Sequence, residues 1–227
     1  MTTRFILAGL CVLAQSVFAA PTFTWESAER AEAPEMNGAL AVGEIQFVAT
    51  RIQLQDIVHI TSIGATMFAV NENATFFVAV LQLPHATSLP SGSPFDGSET
   101  LATTIIAGEA IDDYWGTTDL TLNPGYYAII IGGGEFGATG FGGVPSNNTD
   151  HLWASYFVWT DVDPMIPFGE YAPFSNGSWS EGGVGGYRIF LEGTVIPEPS
   201  TGILVLFGFL TVWINRRIAQ PETRAYP

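Results

Sequence analysis

Two stretches, Phe76–Leu81 and Tyr126–Ile131, are apolar or aromatic at every position. Successive side chains of a strand point to opposite faces, so such runs read as strands buried on both sides. Around them the chain breaks into short β-rich runs. Candidate strands are Glu44–Ala49, Ile57–Ile63, Thr75–Leu83, Thr100–Ala107, Asp119–Leu122, Tyr126–Ile131, Trp153–Thr160 and Tyr187–Gly193. Alternation of apolar and polar positions is visible in Ile45-Gln46-Phe47 and Leu120-Thr121-Leu122. Turns are marked at Pro90-Ser91-Gly92-Ser93-Pro94, Asp96-Gly97, Asn123-Pro124-Gly125 and Asn176-Gly177. Only Glu26 to Glu35, with Ala28, Ala31 and Ala33, suggests a turn or two of helix. The expectation is an all-β, antiparallel β-sandwich or jelly-roll-like domain over residues 42–194, preceded by an acidic linker over 20–41.

Both ends read as targeting segments. Arg4 followed by the apolar run Phe5 to Phe18 has the form of a secretory signal peptide over residues 1–19. Cleavage after Ala19 places Val17 and Ala19 at the two selective positions. Cys11, preceded by the large Leu10, then leaves with the signal. The remaining domain has no cysteine, hence no disulfide, thiolate metal site or cysteine nucleophile. At the other end, Thr201 to Ile214 is mostly apolar and is closed by Asn215-Arg216-Arg217. A helix over about residues 200–215 would rise roughly 24 Å. A bilayer core is about 30 Å thick, so the segment spans with help from Trp213 and the arginines. The positive-inside rule keeps Arg216, Arg217 and the tail 218–227 in the cytoplasm and turns the domain outward.

The formal net charge is −15, and between the two ends the only arginines are Arg30, Arg51 and Arg188, with no lysine. Such a surface repels phosphates, which argues against nucleic acid as a partner. It suits an extracellular setting rich in cations or neutral glycans.

The order Val195, Pro197, Glu198, Pro199, Ser200, then an apolar stretch, then Arg216 and Arg217, resembles the sorting region of the PEP-CTERM class of bacterial surface proteins. The tail from Ile218 to Pro227 is longer than is usual in that class. The resemblance implies recognition and cleavage by an exosortase, a membrane-embedded transpeptidase-like enzyme. It also implies passage from the membrane to the cell surface or an exopolysaccharide matrix. The secretion machinery, the exosortase, the membrane and exopolysaccharide are the partners that follow. The middle of the chain is similar to a domain found ahead of such tails. The resemblance rests on Leu122 to Gly132, Phe136 to Gly140 and Arg188 to Gly193, and it brings no catalytic residues with it.

No constellation in the sequence identifies a reaction, so the chain reads as non-enzymatic. Gly132-Gly133-Gly134-Glu135-Phe136-Gly137 fits a dinucleotide fingerprint only if a helix follows, and Ala138 to Pro145 cannot hold one. It reads instead as a glycine-rich loop with positive φ angles. His59, His85 and His151 have no metal-ligand spacing, and no G-x-S-x-G elbow occurs. No cofactor is implied. Asp112-Asp113, Asp150, Asp161 and Asp163 could offer oxygen ligands to a structural calcium, without the EF-hand pattern. Among the aromatics, Tyr114, Trp115 and Trp179 lie in polar surroundings and are candidates for stacking on a sugar face. A glycan-binding module is therefore the alternative to a matrix protein. An extracellular hydrolase, which needs two carboxylates about 5–9.5 Å apart, is a third reading.

Overall fold

The computed structural model describes residues 20–30, 35–92, 98–146, 155–160, 177–184, 186–197, 211 and 213. The chain divides into two compact units, Met1–Ile196 and Pro197–Pro227. The described residues of the first are all-β, built from two antiparallel six-stranded sheets. In sheet 1, β1 (Thr22–Glu26), β12 (Ile189–Ile196), β4 (Ile57–Ala69), β9 (Gly142–Ser146) and β2 (Glu35–Val42) follow one another. The sixth strand, β7 (Asp112–Leu122), also pairs with β4. Sheet 2 runs β11 (Ser178–Val184), β10 (Ser155–Thr160), β3 (Gln46–Leu54), β8 (Gly125–Gly132), β5 (Ala74–Leu83) and β6 (Thr100–Gly108).

The two apolar runs lie in β5 and β8, neighbours in the middle of sheet 2. Phe76, Phe77, Val78, Ala79, Val80 and Leu81 are all 0% exposed, so both faces of this strand are covered. One face, with Phe76, Val78, Val80, Ile129 and Ile131, shares a core with Val58, Ile60, Ile63 and Leu191 of sheet 1. The opposite face carries a second core of Phe47, Phe77, Ile130, Phe157 and Trp159. Phe47 anchors it, stacked on Trp159 at 4.9 Å and edge-on to Phe77 at 5.2 Å. Burial of both faces gives the middle of sheet 2 a double hydrophobic driving force, and the fit of side chains in each layer, not polar–apolar alternation, is what sets the register of β5 and β8.

Several expectations are corrected. Residues 20–41 are not a linker: they contain β1 and β2, both paired into sheet 1. The helical turn does not begin at Glu26, which ends β1, and Ser27 and Ala28 continue as bend and bridge. Ser27 is locked there, its N–H donating to the Ile189 carbonyl and its Oγ accepting from the Ile189 N–H. β7 starts seven residues before Asp119, and β9 and β11 lie in Gly-rich sequence that reads as loop. The signal peptide with Ala19, then Glu198, Pro199, Ser200, Arg216, Arg217, the tail, His151, Asp150, Asp161 and Asp163 lie outside the described residues. Of the C-terminal apolar segment, only Thr211 and Trp213 are described. Among the described residues no helix is long and apolar enough to cross a membrane.

Candidate functional site: the outer face of sheet 1

Sheet 1 turns Ile63, Ala65, Ile189 and Leu191 toward the shared core. The residues between them in β4, β7 and β12 face away from it, and strand register sets them in rows. One row is Glu26, Phe190, Gly64 and Trp115, contributed by β1, β12, β4 and β7. Gly64 is required by space. A Cβ there would lie 2.2 Å from Phe190 Cε2 and 2.2 Å from the Tyr114 carbonyl oxygen. The Phe190 ring therefore lies over the bare backbone of β4, and Trp115 meets it from the other side with centroids 3.9 Å apart and planes at 44°. Phe190 is 0% exposed, whereas Trp115 is 44% exposed.

The next row is ionic. The Arg188 guanidinium, 4.4 Å from the Phe190 ring centre, reaches Glu26 Oε2 at 2.9 Å and Asp113 Oδ2 at 2.7 Å. Thr66 Oγ1 donates to Asp113 Oδ1 at 2.5 Å, and Arg30 reaches Asp113 at 3.3 Å and Asp112 at 2.9 Å. Burial pulls the Arg188 pKa down, but hydrogen bonds and charge from Glu26 and Asp113 outweigh it and leave it above its ordinary value. Asp112 and Asp113 thus serve two arginines.

On the other side of the aromatic pair the rows are polar. Thr24, Glu192, Ser62 and Thr117 stand in register, followed by Thr22, Thr194, His59 and Thr121. Thr24, Glu192, Thr117 and Thr121 are exposed. His59 is placed between Thr121, with Nδ1 3.4 Å from Oγ1, and Asp119, with Nε2 3.7 Å from Oδ1.

The three aromatic candidates separate. Trp115 is on this face. Tyr114, its strand neighbour, points inward against the shared core, its hydroxyl donating to the Ala110 carbonyl and accepting from the Glu109 N–H. Trp179 is 8% exposed in the second core, edge-on to Phe157 at 5.2 Å. Neither of these two is available to a ligand at the Trp115 face. Phe190, Gly64 and Arg188 were not singled out as site residues. Their signal was the alternation Arg188, Phe190, Glu192 along one strand.

The glycine-rich loop after β8 is a tight turn, with φ of 79° at Gly134, 53° at Phe136 and 86° at Gly137. It runs into β9, a strand, so no helix N-terminus is offered to a pyrophosphate. A recess of about 420 Å³ beside the β4–β5 turn is lined by Ala69, Val70, Asn71, Glu72, Asn73 and Glu109. Among the described residues no three His, Cys, Asp or Glu side chains converge as a metal site. Of the sorting residues, Val195 lies in β12 and Pro197 just beyond it. The Val195 N–H donates to the Pro21 carbonyl at 2.9 Å. No protein-family model matches the chain, and no curated protein matches it significantly.

Proposed function

We propose that this is an exported, surface-sorted, non-enzymatic β-sandwich protein of the cell envelope or extracellular polysaccharide matrix. In this reading the signal peptide 1–19 delivers it across the membrane. The segment 195–217 then holds it there, through a helix over about 200–215, and offers it to an exosortase. The observation that carries the reading is the coincidence of two boundaries. The folded unit closes at Ile196, with the last residue of β12, and the Pro-Glu-Pro motif begins at Pro197. Proline lacks the N–H that would extend the ladder, so the strand that includes Val195 and Ile196 stops there.

The entry and exit of the unit support the same reading. β1 and β12 are neighbours, with Thr22 opposite Thr194. Cleavage after Ala19 and cleavage near Pro197 would both trim chain flanking that one strand pair and leave its ladder in place. The sandwich itself is supported by the core shared between the two sheets.

The test is the variant Pro197→Ala/Glu198→Ala/Pro199→Ala, expressed in the native host. The reading predicts full-length chain accumulating in membranes and less in the surface fraction. Processing and release unchanged from the parent would defeat it.

A further inference from the structure

We propose that the outer face of sheet 1 is a binding platform for a neutral polysaccharide, with the Trp115 indole as the ring on which a pyranose stacks. This goes beyond the sorting reading and stands without it.

An indole on a protein surface presents a broad apolar plane with a polar N–H at its edge, which matches the C–H face and hydroxyl rim of a sugar. Trp115 is 44% exposed, although large aromatics are usually inside. Its orientation is set by Phe190, 3.9 Å away over Gly64, and Phe190 is held in turn by the Arg188 guanidinium. A ring supported in this way loses little further freedom when a ligand covers it.

The surroundings suit hydroxyl groups. Thr117 and Thr121 follow Trp115 on the same face of β7, with exposed Asp119 between them. Glu192 and Ser62 lie in the Thr117 row. Side-chain hydroxyls both donate and accept, and carboxylates accept, so sugar hydroxyls of either role find partners. Thr117 is two residues from Trp115, about 6.8 Å along β7, and neighbouring strands are about 4.8 Å apart, while bulges in the β4–β7 and β4–β12 pairings set the Thr121 and Thr194 row off from the Thr117 row.

Charge selects among polysaccharides. The chain carries −15, and Glu192 and Asp119 are exposed on the polar side of this face. The two nearby arginines, Arg30 and Arg188, are engaged by Asp112, Asp113 and Glu26. Nothing here welcomes a polyuronate or a sulfated glycan. Beyond the buried Phe190 and Arg188, the exposed side chains Thr24, Glu192, Trp115, Thr117 and Thr121 are spread over three strands, which fits a polymer lying across them better than a small molecule enclosed by walls.

Native affinity electrophoresis of the full-length chain in detergent tests this. The gels contain a soluble β-1,3-glucan, β-1,4-glucan, α-1,6-glucan or β-1,4-mannan, with a polyuronate in parallel. The expected result is retardation by at least one neutral polymer. Affinity should fall at least about tenfold in Trp115→Ala, a usual loss for a central aromatic contact, and persist in Trp115→Tyr. Thr117→Arg leaves the Trp115–Phe190 pair intact and obstructs the next row, so it should also weaken retardation if Trp115→Ala does not fold. No retardation by any neutral polymer overturns the proposal. So does retardation by the polyuronate alone, or binding unchanged in the folded variants.

Discussion

Trp115 and Phe190 stand on strands that do not pair with each other, yet their ring centroids are 3.9 Å apart. The strand between them, β4, places Gly64 opposite both residues and contributes no side chain there. The two rings fill the space a third side chain would occupy, so the glycine and the aromatic pair form one packing unit.

Gly64→Ala is therefore expected to be costly. Its Cβ would meet the Tyr114 backbone oxygen at 2.2 Å as well as the Phe190 ring, and the backbone cannot rotate away. The expected loss is about 2–3 kcal/mol, in the upper range for overpacking. The midpoint of urea unfolding measures it.

The ionic row predicts a contrast between two arginines. Arg188 and Asp113 have side chains only 6% and 8% exposed. Removing Arg188 leaves the buried Asp113 with only the exposed Arg30 and the Thr66 hydroxyl, so Arg188→Ala should cost about 3 kcal/mol, the lower end for breaking a buried pair. Arg30 and Asp112 are 59% and 61% exposed, so Arg30→Ala should cost less than about 1 kcal/mol. Equal losses in thermal or urea unfolding would show that Asp113 is held by Arg30 instead.

Strand parity is legible in this sequence and separates two aromatic neighbours. Tyr114 and Trp115 look like a surface pair in sequence, but adjacent residues of a strand face opposite ways, and only one of them can. The strand was expected to begin at Asp119 because Asp112-Asp113 reads as a loop. Paired to Arg30 and Arg188, those aspartates sit in β7. β5 and β8 were plain, since a continuous apolar run has few alternatives. β9 was hidden because Gly142-Gly143 carries no hydrophobic signal. A Cβ at Gly142 would lie 2.0 Å from the Phe68 carbonyl oxygen, so close strand approach is what selects glycine there. Trp179 sits in Ser- and Gly-rich sequence and reads as exposed; only the second core on the far face of sheet 2 explains its burial.

Alkaline pH should destabilise the fold through its tyrosines. Burial raises the Tyr187 pKa, and the charge and hydrogen bond of Tyr156 raise it further. Burial also raises Tyr156 and Tyr127, offset in part by hydrogen bonds to Tyr187 and to the Asn123 carbonyl. An unfolded tyrosine titrates near about 10. Above that pH the unfolded chain releases protons that the folded chain keeps, so stability present below pH ~10 declines as pH rises toward the folded values. Urea midpoints between pH 8 and 11 should show the decline, and Tyr187→Phe should make it shallower. A stability curve of identical slope in that variant contradicts the assignment to Tyr187.

Trp159 offers a test of the second core. Its Nε1 is buried without a hydrogen-bond partner among the described residues, while its ring stacks on Phe47. Trp159→Phe removes both an unsatisfied donor and some packing. The two effects are each about 1–3 kcal/mol and opposite in sign, so the variant should lie within about 1 kcal/mol of the parent. Trp159→Ala, which keeps no ring against Phe47, should lose about 3–5 kcal/mol.

The central claim is that the chain is exported and that its C-terminal segment is a removable address. Mass spectrometry of both termini, on protein from membrane, surface and medium fractions of the native host, tests it most directly. The account predicts an N-terminus at Ala20 and, in surface or medium material, a C-terminus near Val195–Ser200. A chain intact through Pro227 and confined to membranes would make the segment a permanent anchor and contradict the account.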